Sequence, residues 1–447
     1  MQMDGKDSFI GRLLGSAEKF STEQVSQTIQ LLIEHGVRWQ ASDIHIEPHD
    51  QFVQVRYRID GELKGAHKIT PKALEALIHQ LKTMAHLDVM NQHTPQRGHF
   101  SVTIDERSYE IKLSIVPVYG GEKAVLHVAP PVREPLKLDS LGYWGNSLHT
   151  IQTSLSRSHG LILVAAPKHH GRSTTEASML AALNNPSLNI ATVEEAVSYR
   201  IPHASQTTTN SRAGLTTLTA LQAVLHQDPN VVLVDNVTDK ATAELAIQTA
   251  LSGHLVLAGL HGDSAISSLL HLRSMHIPPY LLASTIRTAV GQRLVRKLCE
   301  NCRERYELTA EQLDLLQRVF GVTNAAAFRR VHQLEEAALA QEMGGDTRPS
   351  STASKITHLW RPHREGCESC NHTGYQGRVA ITEVLSINDA IQQALLSDET
   401  TAASLHAVAL KEGFVPLALD GLVKALRGIV TIKDVLHVVD RSLRQSA

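Results

Sequence analysis

Aromatic residues, excess charge and long apolar runs are all scarce in this sequence. Only 4% of its 447 residues are aromatic and the formal net charge is −2, which gives no reason to expect nucleic acid as a partner. No apolar run approaches the roughly 18 to 20 residues that a membrane-spanning helix needs. The beginning, MQMDGKDSFIGRLLGS, lacks the apolar core and cleavage site of a signal peptide. We therefore expect a cytoplasmic protein.

Cysteine is also rare, and its few positions are informative. The chain has four cysteines, in two CxxC pairs: Cys299 with Cys302, and Cys367 with Cys370. In a cytosolic chain this spacing predicts a tetrahedral zinc site, with two unrelated reduced pairs as the alternative. A redox motif needs only one pair, so the duplication favours metal. Four protein ligands leave no open position for water, which makes the predicted site structural.

Alternating apolar and polar residues predict an α+β domain in the N-terminal part. A helical face over 22–36 is followed by a β-hairpin whose apolar residues include Ile44 and Val55, and by further strands as far as residue 130. Arg56 and Arg58 fall on the opposite face of the hairpin. Two interpretations stay open for them: a solvated sheet face, or contact with a phosphate or a neighbouring subunit.

Four buried runs separated by helical segments predict a parallel sheet with helices on both faces. The runs cover residues 161–165, 189–193, 231–234 and 255–260. Acidic or polar residues follow the last three runs: Glu194, Glu195, Asp235, Asn236 and His261. Ligands bind at this edge of open α/β sheets, so we expect one shared site there.

The first of these runs leads into a divergent phosphate loop. The spacing fits GxxxxGK[ST] over Ala166, Pro167, Lys168, His169, His170, Gly171, Arg172 and Ser173, and Thr174 follows directly. Ala166 replaces the first glycine and Arg172 replaces the lysine. Such a loop curls its backbone N–H groups around phosphates, and the bulky His169 and His170 are expected to hinder that curl.

The C-terminal part is predicted to be mainly helical. Residues 325–342 are alanine-rich and predict a helix, and 344–355 predict a flexible loop. From Glu383 onward we expect helices to the end, with a break at 428–431 before the last one.

From about Ala41 to Val438 the chain resembles the type II secretion and type IV pilus assembly ATPases. The resemblance rests on ASDIHIEP, VRYRIDGEL, HGLILV, HQDPNVVLVDN, SGHLVLAGLH, LVRKLCENC, CNHTGYQGR and LALDGLVKALRGIVTIKDVL. It implies a hexameric motor that acts through an inner-membrane platform protein, so that the chain would be peripheral to the inner membrane. It also implies an α/β fold: a RecA-like P-loop domain, an N-terminal α+β domain, a tetracysteine zinc module and a C-terminal helical region.

The expected division of the chain follows from these patterns and from the resemblance. It comprises an N-terminal tail (1–21), the α+β domain (22–130), a linker (131–145), the RecA-like nucleotide-binding core (146–298), the zinc module with a flexible insert (299–382) and the helical region (383–447). Only about forty residues precede ASDIHIEP, where the family's assembly members usually have a further docking domain. The resemblance therefore leaves the mode of docking open.

Residue by residue, the resemblance implies a weakened catalytic site. The family's loop reads GPTGSGK[ST]TT; here Ser173 keeps the Mg²⁺ position, whereas the guanidinium of Arg172 is not interchangeable with an ammonium. Of the acidic box TIEDPVE, Glu194 is kept and Glu195 replaces an aspartate. The resemblance implies ATP and Mg²⁺ as cofactors of this site and Zn²⁺ as the structural metal.

The Walker B stretch and the basic residues diverge as well. Asn236 replaces the glutamate that would polarise the attacking water, while Asp235 could take the Mg²⁺-side role and His261 keeps the histidine box. General-base assistance is worth roughly 10²- to 10⁴-fold, so the amide predicts slow chemistry. Residues that stand where arginine is usual in the family are His99, Lys112, Lys123, His127 and His226.

Two functions remain open from the sequence. The first is a motor subunit that resembles the ATPase but hydrolyses ATP weakly or not at all, in a homo-hexamer or in a mixed hexamer with an active paralogue. The alternative is an active ATPase with divergent motifs that powers pilus or pseudopilus assembly. A zinc-stabilised nucleic-acid module is disfavoured by the neutral charge.

Overall fold

The chain divides into two compact units, residues 1–133 and 134–447. The computed structural model describes residues 21–59, 61–129, 134–210, 213–341, 344–346, 348–397 and 399–445. The predicted tail therefore lies outside the described residues except for Ser21, which caps the first helix.

In its described residues, the first unit is a six-stranded antiparallel sheet with two helices. Its elements are α1 (Thr22–Arg38), β1 (Asp43–Pro48), β2 (Val53–Ile59), β3 (Glu62–Ile69), α2 (Ala73–Met84), β4 (Gln96–Ile104), β5 (Arg107–Val118) and β6 (Gly121–Ala129). The strand order is β3-β2-β1-β6-β5-β4. The predicted hairpin is confirmed, since Ile46 of β1 pairs with Val55 of β2 and both are buried in the core that the helices cover.

The second unit contains the remaining elements. These are α3 (Gly145–Leu155), β7 (Gly160–Ala165), α4 (Arg172–Leu183), β8 (Ile190–Glu194), β9 (Ala204–Thr208), α5 (Thr217–Leu225), β10 (Val231–Val234), α6 (Lys240–Leu251), β11 (Leu255–Leu260), α7 (Ala265–Ser274), α8 (Pro279–Thr285), β12 (Ile286–Leu298), β13 (Glu304–Tyr306), α9 (Ala310–Phe320), α10 (Ala325–Ala340), β14 (Leu359–Arg361), β15 (Tyr375–Ser386), α11 (Asp389–Leu396), α12 (Ala402–Lys411), α13 (Leu417–Leu426) and α14 (Ile432–Gln445).

The main sheet of this unit has seven strands in the order β15-β12-β7-β11-β10-β8-β9. The four predicted strands β7, β8, β10 and β11 pair in parallel, as expected. They are buried along their whole length because hydrophobic clusters cover both faces of the sheet. The prediction of a doubly covered parallel sheet is therefore confirmed.

The predicted start of the helical region at Glu383 is wrong. Glu383 lies in β15, which runs to Ser386 and pairs antiparallel with β12. Residues 380–385 are all buried, so the strand shows no polar alternation that would distinguish it from a buried helix. Helices begin only at Asp389.

Two stretches expected to be irregular have buried parts. In the predicted linker, Tyr143 and Trp144 are buried, and the indole N–H of Trp144 donates to Asp420 at 2.6 Å. In the predicted flexible loop, the N–H groups of Ser350 and Ser351 donate to the carboxylate of Glu335 on α10. Within the described residues, no helix combines the length and the apolarity needed to cross a bilayer.

Candidate nucleotide and metal sites

The carboxyl ends of β7, β8, β10 and β11 form one polar edge, and the predicted loop lies on it. Arg172, the first residue of α4, donates from one terminal nitrogen to Asp235 at 3.2 Å and from the other to Asn236 at 3.4 Å. The hydroxyl of Ser173 donates to the same oxygen of Asp235, also at 3.2 Å. The amide nitrogen of Asn236 donates to Glu195 at 3.0 Å. These predicted residues therefore lie together and are bonded to one another, and their role as a ligand site stays a prediction.

The two bulky histidines occupy the loop in different ways. His169 has φ of +65°, a left-handed conformation that is unfavourable for a residue with a side chain. His170 turns its ring toward β12, where its Nδ1 accepts the backbone N–H of Leu294 at 3.0 Å. Gly171 is also left-handed, at +84°, and caps α4. The ring of His170 is thus held against the sheet instead of in the concavity of the loop.

Gln292 of β12 connects the loop to the sheet through hydrogen bonds. Its amide nitrogen donates to the carbonyl of His170 at 2.7 Å. Its amide oxygen accepts hydroxyl hydrogen bonds from Thr175 at 2.7 Å and from Tyr143 at 2.5 Å. Gln292 and Tyr143 are buried, so these bonds form away from water. The loop therefore has a polar support that the sequence motif does not reveal.

Glu176 is a site residue that the sequence analysis missed. It lies one turn along α4 from Arg172, is 1% exposed, and places a carboxylate oxygen 3.5 Å from Nε of Arg172. Burial raises the pKa of Glu176 well above its usual value and the negative charge of Asp235 raises it further, whereas Arg172 lowers it. A glutamate inside a helix is ordinary in a sequence. Only its spacing from Arg172 could have indicated this contact.

The remaining acidic and histidine positions lie at the same edge with separate partners. Glu194, the last residue of β8, accepts bonds from Thr192 at 2.6 Å and from Gln206 at 3.1 Å. Burial raises the pKa of Glu194. Burial lowers the pKa of His261, and the positive charge of Arg172 lowers it further. His226, by contrast, is the residue that ends α5, and a role for it toward a phosphate stays a prediction.

The residues of this edge suit a phosphate better than a divalent metal. The first N–H groups of α4 have no acceptor within the helix, and a helix N-terminus attracts anions. Lys168 lies in the loop that leads into this N-terminus, and the hydroxyl of Thr174, in the first turn of α4, lies 2.8 Å from the hydroxyl of Tyr199. The Asp235 carboxylate that could bind Mg²⁺ is instead bonded to Arg172 and Ser173. In this arrangement of the side chains, the fit to Mg²⁺ is poor.

The four cysteines form a compact cluster whose ligand atoms all lie within 4.8 Å of one another. The sulfur atoms of Cys299 and Cys367 are 3.7 Å apart, those of Cys302 and Cys370 are 3.8 Å apart, and those of Cys367 and Cys370 are 3.7 Å apart. Four sulfurs about 2.3 Å from a tetrahedral zinc ion would be about 3.8 Å apart. The donor set therefore fits a tetrahedral metal.

Backbone N–H groups support the cluster. Those of Cys367 and Gly374 both lie 3.2 Å from the sulfur of Cys370. Burial opposes ionisation of Cys370, but these N–H groups and the neighbouring thiols lower its pKa to about 6. Burial raises the pKa of Cys302 to about 12. The backbone around Cys370 thus favours its thiolate, the form of cysteine that binds metal.

The predicted arginines belong to the first unit, on β2. Arg56 forms two hydrogen bonds with Glu47, at 2.7 and 2.9 Å, and Arg58 lies 3.4 Å from Asp43. Lys123 also contacts Glu47, at 2.6 Å. Burial raises the pKa of Glu47, but bonds from Arg56 and Lys123 outweigh it and lower the value to about 2. The arginines thus have carboxylate partners within their own sheet, and a role toward a phosphate stays a prediction.

Comparison with known proteins agrees with these observations. The family model described as "Type II/IV secretion system protein" matches residues 18–437. The type II secretion system ATPase E of Vibrio cholerae is 32% identical over 419 residues, which is 94% of this chain and 76% of that protein. The type IV pilus assembly ATPase PilB of Thermus thermophilus is 32% identical over 431 residues, or 94% of this chain and 45% of PilB.

Solved structures share the fold. The ATPase DotB of Legionella pneumophila superposes with a TM-score of 0.64 at 15% identity, covering 95% of this chain and 98% of DotB. The pilus retraction motor PilT with bound ADP gives a TM-score of 0.56 at 20% identity, covering 92% and 96%. The expected α/β architecture is thereby confirmed. From the family match and these relatives, the chain belongs to the type II secretion and type IV pilus assembly ATPase family.

Proposed function

We propose that the chain is a subunit of a hexameric type II secretion or type IV pilus assembly motor in which ATP hydrolysis is weak or lost. It would act in a homo-hexamer or beside an active paralogue in a mixed hexamer, at the cytoplasmic side of an inner-membrane platform protein. The names of its relatives as a secretion ATPase and a pilus assembly ATPase support the motor.

One observation supports weak hydrolysis above the others: the amide of Asn236 is occupied on both sides. Its nitrogen donates to Glu195 and its oxygen accepts from Arg172. An amide cannot take a proton from water, and these two bonds fix the orientation of this one. Loss of a general base costs about 10²- to 10⁴-fold in rate.

We propose one cofactor for each of the two sites. For a nucleotide, we propose that the N-terminus of α4 and the loop residues 166–174 hold the phosphates, with Lys168 adding positive charge. When bound, ATP would supply the phosphoryl group whose transfer drives family motors. For the metal, we propose Zn²⁺ in the four-cysteine cluster as a structural ion, because thiolates in CxxC pairs are its usual ligands.

An active ATPase with divergent motifs is the second candidate. Glu194 and Glu195 both lie at the ligand edge of the sheet, and Glu195 is bonded to Asn236, at the position where the general base is missing. If the amide of Asn236 turned toward a nucleotide, Glu195 would be released from its bond and could accept a proton. This route requires rearrangement of at least two hydrogen bonds.

A titration that measures ATP binding and ATP turnover separately tests the proposal. Purified full-length chain is compared with the double variant Asn236→Glu with Arg172→Lys, which restores the family's residues at both positions. We expect turnover by the unchanged chain near background and an increase of about 10²-fold or more in the double variant. A matched double variant of exposed residues, Gln248→Glu with Lys240→Arg on α6, should leave turnover unchanged.

Two results would count against the proposal that ATP hydrolysis is weak or lost. Substantial turnover by the unchanged chain would establish the second candidate instead. No gain in the double variant, despite measurable ATP binding, would mean that Asn236 and Arg172 are not the cause of slow hydrolysis.

A further inference from the structure

The guanidinium of Arg172 is bonded to Asp235, the carboxylate that a divalent cation at this site would need. Asp235 and Ser173, the two side chains suited to bind such a cation, are bonded to each other, and Asp235 is also bonded to Arg172 at 3.2 Å. A second cation at Asp235 would therefore stand beside a guanidinium, which cannot lose its charge at any relevant pH. The metal and Arg172 are thus competitors for one carboxylate.

Arg172 also has a contact with the buried residue Glu176, one turn further along α4. The side chain of Arg172 is 11% exposed, and its Nε lies 3.5 Å from the buried carboxylate of Glu176. Among the described residues, no N–H or hydroxyl group donates to either oxygen of Glu176. If Arg172 moved away, the buried carboxyl group of Glu176 would lose this contact in the protein interior, where an unpaired polar group is unfavourable. Displacement of Arg172 is therefore opposed.

Strand β11 has a glycine where it passes Arg172 and Glu176, which leaves room for these two side chains. Gly259 of β11 lies directly over this pair: a Cβ at this position would be 2.4 Å from the carboxylate of Glu176 and 2.9 Å from Nε of Arg172. It would also be 2.0 Å from the carbonyl oxygen of Asp235. Any larger residue would force the pair apart, so the backbone of β11 is compatible with the pair only because residue 259 is glycine.

We propose that Arg172 is a built-in cation that replaces the divalent metal at this site, so that the chain binds the phosphates of free, metal-free nucleotide, with Glu176 as the positioning residue that holds Arg172 there. The ligand class rests on the proposed function, since it takes the loop as a nucleotide site. The guanidinium is suited to this role because its planar nitrogens can bond Asp235 and a phosphate oxygen together.

The test is equilibrium binding of mant-ATP, a fluorescent ATP analogue, with and without Mg²⁺. Metal-free buffer is prepared on a chelating resin and no chelator is added, so that a metal in the cysteine cluster stays bound. For the unchanged chain we expect Kd values in the two buffers to agree within about threefold. In Arg172→Lys the compact ammonium cannot bond both carboxylates, so Mg²⁺ should tighten binding by about tenfold or more.

Glu176→Gln keeps the size of the side chain but replaces the carboxyl group beside Nε of Arg172 with an amide, which weakens this contact and frees Arg172 to leave Asp235. We expect this variant also to acquire Mg²⁺-dependent binding, by about threefold to tenfold. Its matched control is Glu244→Gln, which removes the acid of the exposed i,i+4 pair with Lys240 and should change neither Kd. A merely structural role for Glu176 would weaken both Kd values equally and leave their ratio unchanged.

Three outcomes would overturn the inference: Mg²⁺-dependent binding by the unchanged chain, no mant-ATP binding in either buffer, or a Kd ratio that does not respond to Arg172→Lys. Turnover is measured in the same samples. Fast turnover would overturn the proposed function, whereas Mg²⁺-dependent binding without turnover would overturn only the role of Arg172. The two failures are therefore distinguishable.

Discussion

The cysteine cluster and the phosphate loop both adjoin the paired strands β12 and β15, and they differ in what they retain. The cluster has its full ligand set, with sulfur separations of 3.7 to 3.8 Å. The loop keeps its hydrogen bond from Gln292. Arg172, however, bonds both to Asp235, the carboxylate that a metal would use, and to Asn236, which stands where a general base for water would be. The support of the loop and the charged groups at its edge thus come from different residues, so that one can persist while the other changes.

The largest effect is expected at the cysteine cluster, the site that keeps its full ligand set. Cys367→Ser should abolish metal binding and lower the free energy of unfolding of the second unit by several kcal/mol, since a structural metal contributes directly to folding. Metal content by mass spectrometry and denaturant unfolding followed by circular dichroism measure the two effects. The neighbouring Ser369→Ala, which removes an exposed hydroxyl that accepts a bond from Asn301 at 3.0 Å, should leave the metal content unchanged and cost no more than about 1 kcal/mol. A full complement of zinc in Cys367→Ser would contradict the assignment of the cluster.

The next effect concerns the support of the loop. Gln292→Ala leaves the buried hydroxyls of Tyr143 and Thr175 and the carbonyl of His170 without their partner, and should destabilise the second unit by about 2 to 4 kcal/mol. The exposed Gln248→Ala should stay within about 0.5 kcal/mol of the unchanged chain. If both glutamine variants unfold at the same denaturant concentration, the loop does not depend on this network.

The smallest effects separate the two histidines of the loop. His170→Ala removes the bond to the backbone N–H of Leu294 and should cost about 1 kcal/mol. His169→Gly relieves a left-handed backbone and should be neutral or stabilising by about 0.5 to 1 kcal/mol. Both are measured by denaturant unfolding. Equal destabilisation by the two substitutions would show that backbone strain at His169 is not significant.

The sequence was sufficient to predict the parallel strands and the edge at which their polar residues meet. Continuous apolar runs identify buried strands, and the carboxyl ends of parallel strands meet at one edge whatever the side chains do. Thus Asp235, Asn236 and Glu195 were correctly expected together. The four cysteines could be grouped in the same way, since two CxxC pairs in a chain without further cysteine are typical of one shared metal site.

What could not be predicted depends on side-chain conformation and on burial from both faces. The strand that contains Glu383 has no alternation because both of its faces are covered. The turn of His170 toward β12 and the left-handed backbone of His169 follow from tertiary contacts, since only glycine reliably marks such a backbone in a sequence. The contact between Arg172 and Glu176 is one of many i,i+4 pairs, and only its burial distinguishes it.

The paired strands β12 and β15 have a consequence for how the two sites respond to ligands. Cys299 follows the last residue of β12, and the same strand bonds the loop through Gln292 and Leu294. On β15, Arg378 approaches the carbonyl of His169 at 3.5 Å. A metal and a nucleotide would therefore be thermodynamically linked ligands. A ligand that makes one end of the paired strands β12 and β15 more rigid would also reduce the conformational freedom of the residues at the other site. By reciprocity, the affinity of the cysteine cluster for a metal would change when a nucleotide fills the loop, whether or not that nucleotide is hydrolysed.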